Sequence, residues 1–492
     1  MMKFIYTFAL VLSAQLCFSQ QILKELKGID DEIIQLMTAY NTIGLSVAVV
    51  KDDKVIYSKG FGYRNLKQQL PVTENTLFHI ASMTKAFTGS LLGILESNNQ
   101  LSLKDKPGQY VPNFKFYNDE MNNLITIEDL LSHKSGIGSQ GVSLEMFPDK
   151  DKLITVQRLQ YLKPESEVKN SWNYSNMGYT LAGTIVEQVT NKNWETNLQE
   201  KIFTPLHMKN SCTTIEEMKQ SNNFSLGYGV YKGKSEKVPY QNYYAFGPAG
   251  VIKSSVKDLS NWMRTWLNKG VFNGNQVIPK EYVYEASRPQ NLKHKEEYTE
   301  DSFLYTEGFG WRIRSWNGHY RLRHGGNTQG FSSVTELFPF KNIGIVVLCN
   351  QNGSILPYII SDKISRRLLQ LPPENEYPVL ISDLYKPNSE DTSFNIDKMP
   401  TQPISNFSGF YYADGFGKIE VIEKAGKLLA IFPTHTFKLA HQNYNNFYLK
   451  GMEDFKESFN PEFTVKFIMD TKGKTSMLEI YAQKEPIEFH KK

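Results

Sequence analysis

The feature that most constrains this chain is a serine placed three residues before a lysine, at the head of an apolar helical pattern. Ser82 and Lys85 open the segment 82–96, in which apolar side chains recur at helical spacing and form one inward stripe. Residues three apart on a helix share a face, so this spacing brings a hydroxyl and an amine together. An activated serine nucleophile needs a base at that distance. The segment therefore predicts a buried helix with a nucleophile at its start.

The same spacing occurs twice more in the chain, at Ser166 and Lys169 and at Ser254 and Lys257. The motif alone is a weak signal, because an isolated Ser82 would more often cap the helix that follows it. The assignment of a nucleophile to Ser82 therefore depends on the motifs that come after it.

A Tyr-Ser-Asn motif precedes a second helical pattern. Tyr174 and Asn176 stand immediately before the helix expected at 178–190, so their side chains can project from a loop into a cleft. A tyrosine can relay protons, and an asparagine can both donate to and accept from an amide or ester. Tyr-x-Asn also occurs at Tyr240 and Tyr444. The alternative interpretation of any one of these motifs is a loop in which the side chains cap the backbone.

A third motif lies at the end of a strand expected at 319–323. There His324 is followed by Gly325, Gly326 and Asn327. The two glycines leave out side chains where the backbone of a substrate would need to lie against the strand edge. Considered alone, His324 would more often be a structural histidine, so the interpretation rests on the order of the three motifs.

The length of the chain and its strand patterns predict more than one domain. With 492 residues the chain is too long for one ordinary core. We expect a main domain at 24–371, a linker rich in Pro, Asp, Glu, Asn and Ser at 372–403, and a final domain at 404–492. The net charge of +4 is spread along the chain, so nucleic acid is not an expected partner.

The main domain is expected to be α/β (α+β), with an antiparallel sheet flanked by helices and a separate helical lobe at about 126–270. An amphipathic helix is expected at 23–37, clear helices at 127–132 and 178–190, and a helix over one face of the sheet at 356–371. The expected strands of the sheet are 45–50, 55–59, 310–316, 319–323, 331–338 and 343–350.

The final domain alternates apolar and polar residues in short runs with regular turns, which is typical of a small β-barrel or sandwich. Its expected strands are 407–412, 418–423, 427–432, 446–450, 463–469 and 476–482.

Residues 1–19 have the layout of a secretory signal, with Lys3 followed by an apolar stretch and then small residues before Gln20. We therefore expect a secreted or periplasmic protein. An uncleaved membrane anchor is the alternative, but the apolar stretch is short for a bilayer, so no stable membrane span is expected. Outside this leader the chain has two cysteines, Cys212 and Cys349, which allow one disulfide bond but do not imply it. No histidine pattern predicts a metal site, and no cofactor is expected.

The motifs, taken together and in this order, resemble the penicillin-recognising serine hydrolases, and within them the class C β-lactamase branch, which includes D-amino-acid peptidases and esterases. The resemblance covers about 30–370, and 404–490 is similar to a small lipocalin-like β-domain. It implies a β-lactamase/transpeptidase-like fold. The stretches that carry it are 77–85 (LFHIASMTK), 130–137 (LLSHKSGI), 174–179 (YSNMGY), 247–250 (GPAG) and 324–326 (HGG).

The resemblance also implies a role for each site residue. Ser82 would be the acyl-accepting nucleophile and Lys85 the base that assists it. Tyr174 would pass a proton to the leaving group and help activate the deacylating water, while Asn176 would orient the amide or ester. The backbone N–H groups of Ser82 and Asn327 would form an oxyanion hole, and the start of a helix favours negative charge at that point.

One departure from the family pattern concerns the third motif, which in typical β-lactamases begins with a lysine that pairs with the substrate carboxylate. Here His324 takes that place and is largely neutral near pH 7. Strand alternation places Leu322 and His324 on one face and Arg321 and Arg323 on the other, so the arginines are not expected to replace the missing charge. This weakens the case for efficient β-lactam hydrolysis.

The sequence therefore predicts a serine hydrolase that works through an acyl-enzyme on a small-molecule or peptide substrate, with cell-wall-derived peptides among the candidates. D-amino-acid peptides, β-lactams and small esters all remain open as substrates. Gly325, Gly326 and Asn327 are expected to contact the substrate together with Asn176 and His324. The alternative is a non-catalytic or slowly deacylating penicillin-binding or cell-wall-binding protein.

Overall fold

The computed structural model describes residues 24–138, 146–147, 149–231, 234–240, 244–292, 299–300, 302–373, 400–433, 435–451, 463–481 and 486–492. The expected leader at 1–19 lies outside the described residues, and so does most of the expected linker at 372–403.

The main domain is built on a nine-stranded antiparallel sheet with the strand order β10-β11-β12-β13-β14-β15-β1-β2-β3. Strands from the two ends of the domain meet at its centre, where β1 pairs with β15, as the sequence patterns predict. The strands of this sheet and of three smaller two-stranded sheets are β1 Gly44–Lys51, β2 Lys54–Asn65, β3 Leu70–Pro71, β4 Phe78–His79, β5 Gly227–Tyr231, β6 Lys234–Val238, β7 Lys253–Ser254, β8 Val271–Phe272, β9 Asn275–Gln276, β10 Asn291–Leu292, β11 Tyr305–Glu307, β12 Arg312–Trp316, β13 His319–Thr328, β14 Phe331–Phe338 and β15 Ile343–Cys349.

Helices cover both faces of the sheet and form the expected helical lobe. Within the described residues, no helix is long and apolar enough to cross a bilayer. The helices are α1 Ile29–Ala39, α2 Thr84–Ser97, α3 Asp119–Leu124, α4 Ile127–Leu131, α5 Lys152–Gln157, α6 Asn176–Thr190, α7 Trp194–Leu198, α8 Ile215–Gln220, α9 Gly247–Gly250, α10 Val256–Leu267, α11 Lys280–Ala286 and α12 Leu356–Leu368.

The neighbouring central strands β1 and β15 are almost wholly apolar because helices pack on both of their faces. All seven residues of β15 are buried, and so are the first seven of β1. One face packs against α1 and α12, through residues such as Ile33 and Ile360. The other face packs against the layer that contains α2 and α10, through residues such as Phe87 and Trp262. Strands buried on both faces need continuous apolar runs, which explains the sequence pattern.

The helix predicted at 82–96 divides into two parts in the structure. Residues Ala81–Met83 form a 3-10 turn, and α2 follows from Thr84. Ala81 adopts a φ of 47°, in the left-handed region that residues with a side chain rarely adopt. This tight turn presents Ser82 at the head of α2 while the residues on either side of it are buried.

One strand boundary was wrong. The sequence pattern ends the strand at Arg323 and places the glycine motif after it, whereas β13 continues to Thr328. The reason is tertiary pairing, since β14 stays in register along the whole motif, with Gly325 opposite Val334 and Gly326 opposite Ser333. Glycine weakens an isolated strand, but pairing with a neighbouring strand overrides that preference.

The C-terminal residues form a closed barrel of eight strands. The sequence pattern predicts six strands and misses two of them, β19 and β23. Each of these two strands buries two side chains in alternation, as the predicted strand at Gly417–Lys424 does, so the number of buried side chains does not distinguish the strands that were missed. The strands of the barrel are β16 Gly409–Ala413, β17 Gly417–Lys424, β18 Lys427–Ile431, β19 Thr436–Asn443, β20 Asn446–Gly451, β21 Thr464–Met469, β22 Thr475–Tyr481 and β23 Ile487–Lys491.

Phe147 of the main domain closes one end of the barrel. Its side chain is 3% exposed and stacks on Phe489, with ring centroids 5.5 Å apart. Phe416 and Phe432, which lie in the connections at that end, meet it edge to face at 5.7 and 5.4 Å. The barrel and the main domain are therefore joined through a shared aromatic core.

We predict that Phe147→Ala lowers the free energy of unfolding by about 3 kcal/mol, because truncating a buried phenylalanine removes apolar contacts and leaves a cavity. Urea unfolding of the full chain measures the change. Phe340→Ala is the control, since Phe340 is 81% exposed and its truncation should change the stability little. Equal effects of the two substitutions would show that Phe147 does not join the domains.

The two cysteines outside the leader are free thiols in the structure. Burial raises the pKa of Cys212 and of Cys349 to about 12, so both thiols are protonated at neutral pH. The disulfide that the sequence leaves open is not formed.

Candidate active site

Ser82 and Lys85 lie side by side at the start of α2. The Nζ atom of Lys85 donates a hydrogen bond of 3.1 Å to Oγ of Ser82. Lys85 is fully buried, whereas Ser82 is partly exposed. A base within hydrogen-bond distance of a reachable hydroxyl is the arrangement that nucleophilic catalysis by serine requires.

Two further acceptors fix the position of the Lys85 ammonium group. Its Nζ atom donates to Oδ1 of Asn176 at 2.8 Å and to the carbonyl oxygen of Ala249 at 2.8 Å. Asn176 begins α6 and Ala249 belongs to α9, so two helices of the lobe hold the amine against the serine. Buried charged groups need such partners, because an unpaired donor or acceptor away from water is costly.

Tyr174 reaches the same point from the loop before α6. Its hydroxyl faces the side chain of Ser82, which acts on its pKa, and its ring centroid lies 4.8 Å from Nζ of Lys85. Burial raises the pKa of Tyr174, although the side chain of Ser82 and the positive charge of Arg312 oppose the effect. The phenol is therefore protonated at neutral pH and able to donate its proton.

The turn into α6 determines where Tyr174 and Asn176 point. Ser175 is the N-cap of this helix, and its Oγ accepts a 3.0 Å hydrogen bond from the N–H of Gly178. A serine at this position satisfies one of the free N–H groups at the helix start. The residues on either side of the cap then project toward Ser82 and Lys85 respectively.

His324 lies on the face of β13 that the sequence pattern predicts, but it carries no charge. It is 2% exposed, and its Nδ1 lies 2.7 Å from the carbonyl oxygen of Gly325. Burial, reinforced by the positive charges of Arg312 and Lys85, lowers the pKa of His324 well below its ordinary value. A neutral imidazole therefore stands where related β-lactamases place a lysine.

Arg321 and Arg323 form ion pairs on the other face of the sheet, as strand alternation predicts. Both guanidinium groups pair with Glu336 and Asp362 on the α12 side of the sheet, at distances between 3.0 and 3.3 Å. Leu322 belongs to the core on the opposite side. The two arginines therefore do not supply the positive charge that His324 lacks.

The open edge of β13 lies beside the nucleophile. Strand β12 pairs only with 319–323 of β13, so from His324 onward this edge has no strand neighbour within the described residues. The side chain of Asn327 turns away from the edge and accepts hydrogen bonds from Ser332 and from the N–H of Gly353. A substrate backbone can therefore add to this edge, with only backbone groups to meet it at that point.

The two glycines of the motif are required by close packing. A Cβ atom on Gly326 would overlap the carbonyl oxygen of Ile80, and a Cβ on Gly325 would overlap Oη of Tyr358. The first contact brings β13 against the turn that carries Ser82. The second places Oη of Tyr358, from α12, against the opposite face of β13, where a side chain would otherwise begin.

We predict that Gly326→Ala lowers kcat/KM by about 10²-fold, because the added methyl group pushes β13 away from the turn that carries Ser82. Steady-state hydrolysis of a p-nitrophenyl ester measures the change. Gly108→Ala is the control, since its added methyl group would meet no other atom closer than 3.9 Å. Full activity of Gly326→Ala would show that the close approach of the strand does not matter.

The structure adds groups that the sequence motifs do not identify. The carbonyl of Ala249 and the ring of His133 lie within stretches of the family resemblance, but nothing in those stretches shows their contacts. Arg312 acts on His324 electrostatically, and buried Glu307 in turn acts on Arg312. No motif marks these two residues, because only the sheet register brings them together.

Comparisons with known proteins identify the family of this chain. The family model described as Beta-lactamase matches residues 29–361. Protein flp of Staphylococcus aureus (strain N315) is 30% identical over 324 residues, which are 64% of this chain and 61% of that protein. The unguisins hydrolase ungD of Aspergillus violaceofuscus is 23% identical over 446 residues, which are 81% of this chain and 77% of that protein. The chain thus spans less than two thirds of the length of Protein flp.

Solved structures share the fold. The octameric penicillin-binding protein homologue from Pyrococcus abyssi aligns with a TM-score of 0.64 at 22% identity, covering 94% of this chain and 99% of the other. A class C beta-lactamase aligns with a TM-score of 0.57 at 23% identity, covering 72% and 98%. The fold expected from the motifs is confirmed, and with a family model that matches most of its main domain, this chain belongs to the beta-lactamase family.

Proposed function

We propose that the protein is a serine hydrolase that cleaves amide or ester bonds through an acyl-enzyme on Ser82. The observation that carries the proposal is the buried Lys85 amine, held 3.1 Å from Oγ of Ser82. In this step Lys85 acts as the neutral amine, one proton fewer than the ammonium group that donates to Oγ. The hydroxyl attacks the substrate carbonyl, and its proton passes to the lone pair of Nζ. The Ser82 oxygen then carries the acyl group until water releases it.

Tyr174 is the group that we assign to proton transfer with the leaving group. It is protonated, its hydroxyl faces Ser82, and its ring lies beside Lys85. In acylation it donates a proton to the departing amine or alcohol, and in deacylation it helps remove a proton from water. The presence of all three groups favours turnover over a protein that only binds.

Electrostatics favour neutral peptides or esters over β-lactams as substrates. His324 is neutral, and Arg321 and Arg323 are paired with carboxylates. Arg312 does act on His324, but it interacts with the buried carboxylate of Glu307. Among the described residues, no fixed charge is thus dedicated to the carboxylate of a penicillin. The leader expected at 1–19 would place the reaction outside the cytoplasm.

A panel of three substrates tests the proposal. We expect wild type to hydrolyse a p-nitrophenyl ester or a D-alanyl peptide amide, neither of which carries a free carboxylate, with a kcat/KM at least tenfold above that for a chromogenic cephalosporin, and Ser82→Ala to abolish every activity. Rapid cephalosporin turnover would contradict the substrate assignment. Turnover that survives in Ser82→Ala would contradict the mechanism.

A further inference from the structure

His133 lies behind the proposed proton-transfer residue and has no role in the mechanism described above. It follows α4, is fully buried, and its ring centroid lies 4.6 Å from that of Tyr174. The chain brings it there from 42 residues before Ser175, so the contact is a feature of the folded domain.

The backbone N–H groups on either side of Tyr174 both donate hydrogen bonds to His133. The N–H of Asn173 donates to the carbonyl oxygen of His133 at 2.9 Å. The N–H of Ser175 donates to the ring Nδ1 of His133 at 3.1 Å. The backbone is therefore fixed immediately before and immediately after Tyr174, and a single residue does both.

The bond to Ser175 defines the protonation of the ring. A backbone N–H can only donate, so Nδ1 accepts through its lone pair and the ring proton is on Nε2. Burial, together with the positive charge of Lys85, lowers the pKa of His133 well below its ordinary value, which keeps Nδ1 free to accept. The buried Nε2 has no hydrogen-bond partner within the described part of the chain, so the ring is anchored through Nδ1.

The backbone of His133 is held in an uncommon conformation. Its φ is 60°, in the left-handed region, which costs free energy for a residue other than glycine. The side chain of Asn291 stabilises this turn by donating to the carbonyl oxygens of Ser132 at 3.1 Å and of His133 at 3.2 Å. In this conformation the ring of His133 packs against the Tyr174 loop. The carbonyl oxygen of His133 accepts the hydrogen bond from the N–H of Asn173.

We propose that His133 is a positioning residue for Tyr174, and that its Nδ1 and its carbonyl hold the tyrosine hydroxyl at Ser82. This inference rests on the proposed function, because the position of Tyr174 matters only if Ser82 is acylated. Small displacements of a catalytic group reduce rates strongly, so loss of the Nδ1 bond should act on kcat. Substrate binding should change little, since His133 acts only through the tyrosine.

Three substitutions test the contributions of the two ring nitrogens separately. In His133→Asn, the amide oxygen can take the place of Nδ1 and accept from Ser175, and asparagine tolerates the left-handed conformation. In His133→Gln, the amide reaches the place of Nε2 and leaves Ser175 without its acceptor. His133→Phe keeps the ring shape but neither nitrogen. A p-nitrophenyl butyrate assay of the full chain gives kcat and KM for each variant.

We expect kcat to fall about 10²-fold in His133→Gln and His133→Phe, with KM within about threefold of wild type, and His133→Asn to recover most of kcat. In a Tyr174→Phe background, His133→Gln should lower kcat by less than about threefold, because the bond acts through the tyrosine hydroxyl. Equal losses in the Asn and Gln variants, or a full further loss in the Tyr174→Phe background, would overturn the inference.

Labelling of Ser82 by a fluorophosphonate distinguishes this inference from the proposed function. Wild type that is labelled and active, combined with fully active His133→Phe, would refute the positioning role alone. Wild type whose Ser82 is neither labelled nor required for turnover would refute both.

Discussion

Lys85→Met is expected to lower kcat/KM for a p-nitrophenyl ester by at least about 10³-fold, because general-base assistance contributes a factor of that order. The amine is the only one that the structure places against Oγ of Ser82 within the described residues, at 3.1 Å. Methionine fills a similar volume but cannot accept a proton from the serine. The serine hydroxyl would remain, with a pKa far above neutral and no base beside it.

Lys253→Met is the matched control for this substitution. Lys253 is also buried, its Nζ donates to the carbonyl of Thr213 at 2.7 Å, and burial lowers its pKa to about 8. It lies on β7 and makes no contact with Ser82 in the described structure. We expect its replacement to change kcat/KM by only a few fold. Similar losses in the two variants would mean that Lys85 acts on the fold and not on the serine.

Tyr174→Phe is expected to lower kcat by about 10²-fold to 10³-fold, the range for removal of a general acid–base group, with a smaller effect on KM. The phenylalanine keeps the ring that packs near Lys85 and His133 but removes the hydroxyl that faces Ser82. The loss should be greatest for substrates whose leaving group needs a proton, so amides should suffer more than p-nitrophenyl esters.

Tyr179→Phe is the control for the loss of a buried phenol. Tyr179 lies near Lys85, with its ring centroid 5.6 Å from Nζ, but its hydroxyl donates to the carbonyl of Leu131. Its removal should reduce stability by about 1 kcal/mol, the value of one hydrogen bond, and leave kcat within a few fold. Equal kcat in Tyr174→Phe and wild type would remove the tyrosine from the mechanism.

The sequence predicts the site best where the chemistry is local. The spacing of Ser82 and Lys85 follows from helix geometry, and the alternation that separates His324 from the arginines follows from strand geometry. Both geometries are properties of a few consecutive residues, so they can be worked out before any tertiary contact is known. The structure shows these residues where such local rules place them.

The remaining features depend on contacts between distant parts of the chain. His133 reaches the loop of Tyr174 from another element, and Phe147 reaches the barrel from the main domain. The extension of β13 through Gly325 and Gly326 depends on the register of β14. Local propensity carries no information about these pairings, and for β13 it predicts a strand that ends before the glycines.

The barrel strands that the sequence pattern misses carry the same local signal as those it predicts. Strand β19 carries Phe437 and Leu439 inward and β23 carries Ile487 and Phe489, just as the predicted strand β17 carries Ile419 and Val421. What the sequence does not show is their pairing with neighbouring strands around the closed barrel.

Covalent labelling of the nucleophile tests the central claim most directly. Wild-type protein is treated with a fluorophosphonate, and the modified residue is mapped by peptide mass spectrometry, with Ser82→Ala treated in parallel. We expect one adduct, on Ser82, together with loss of ester hydrolysis in proportion to labelling and no adduct in Ser82→Ala. A folded and active protein in which Ser82 stays unmodified, or an adduct on another serine that accounts for the lost activity, would contradict it.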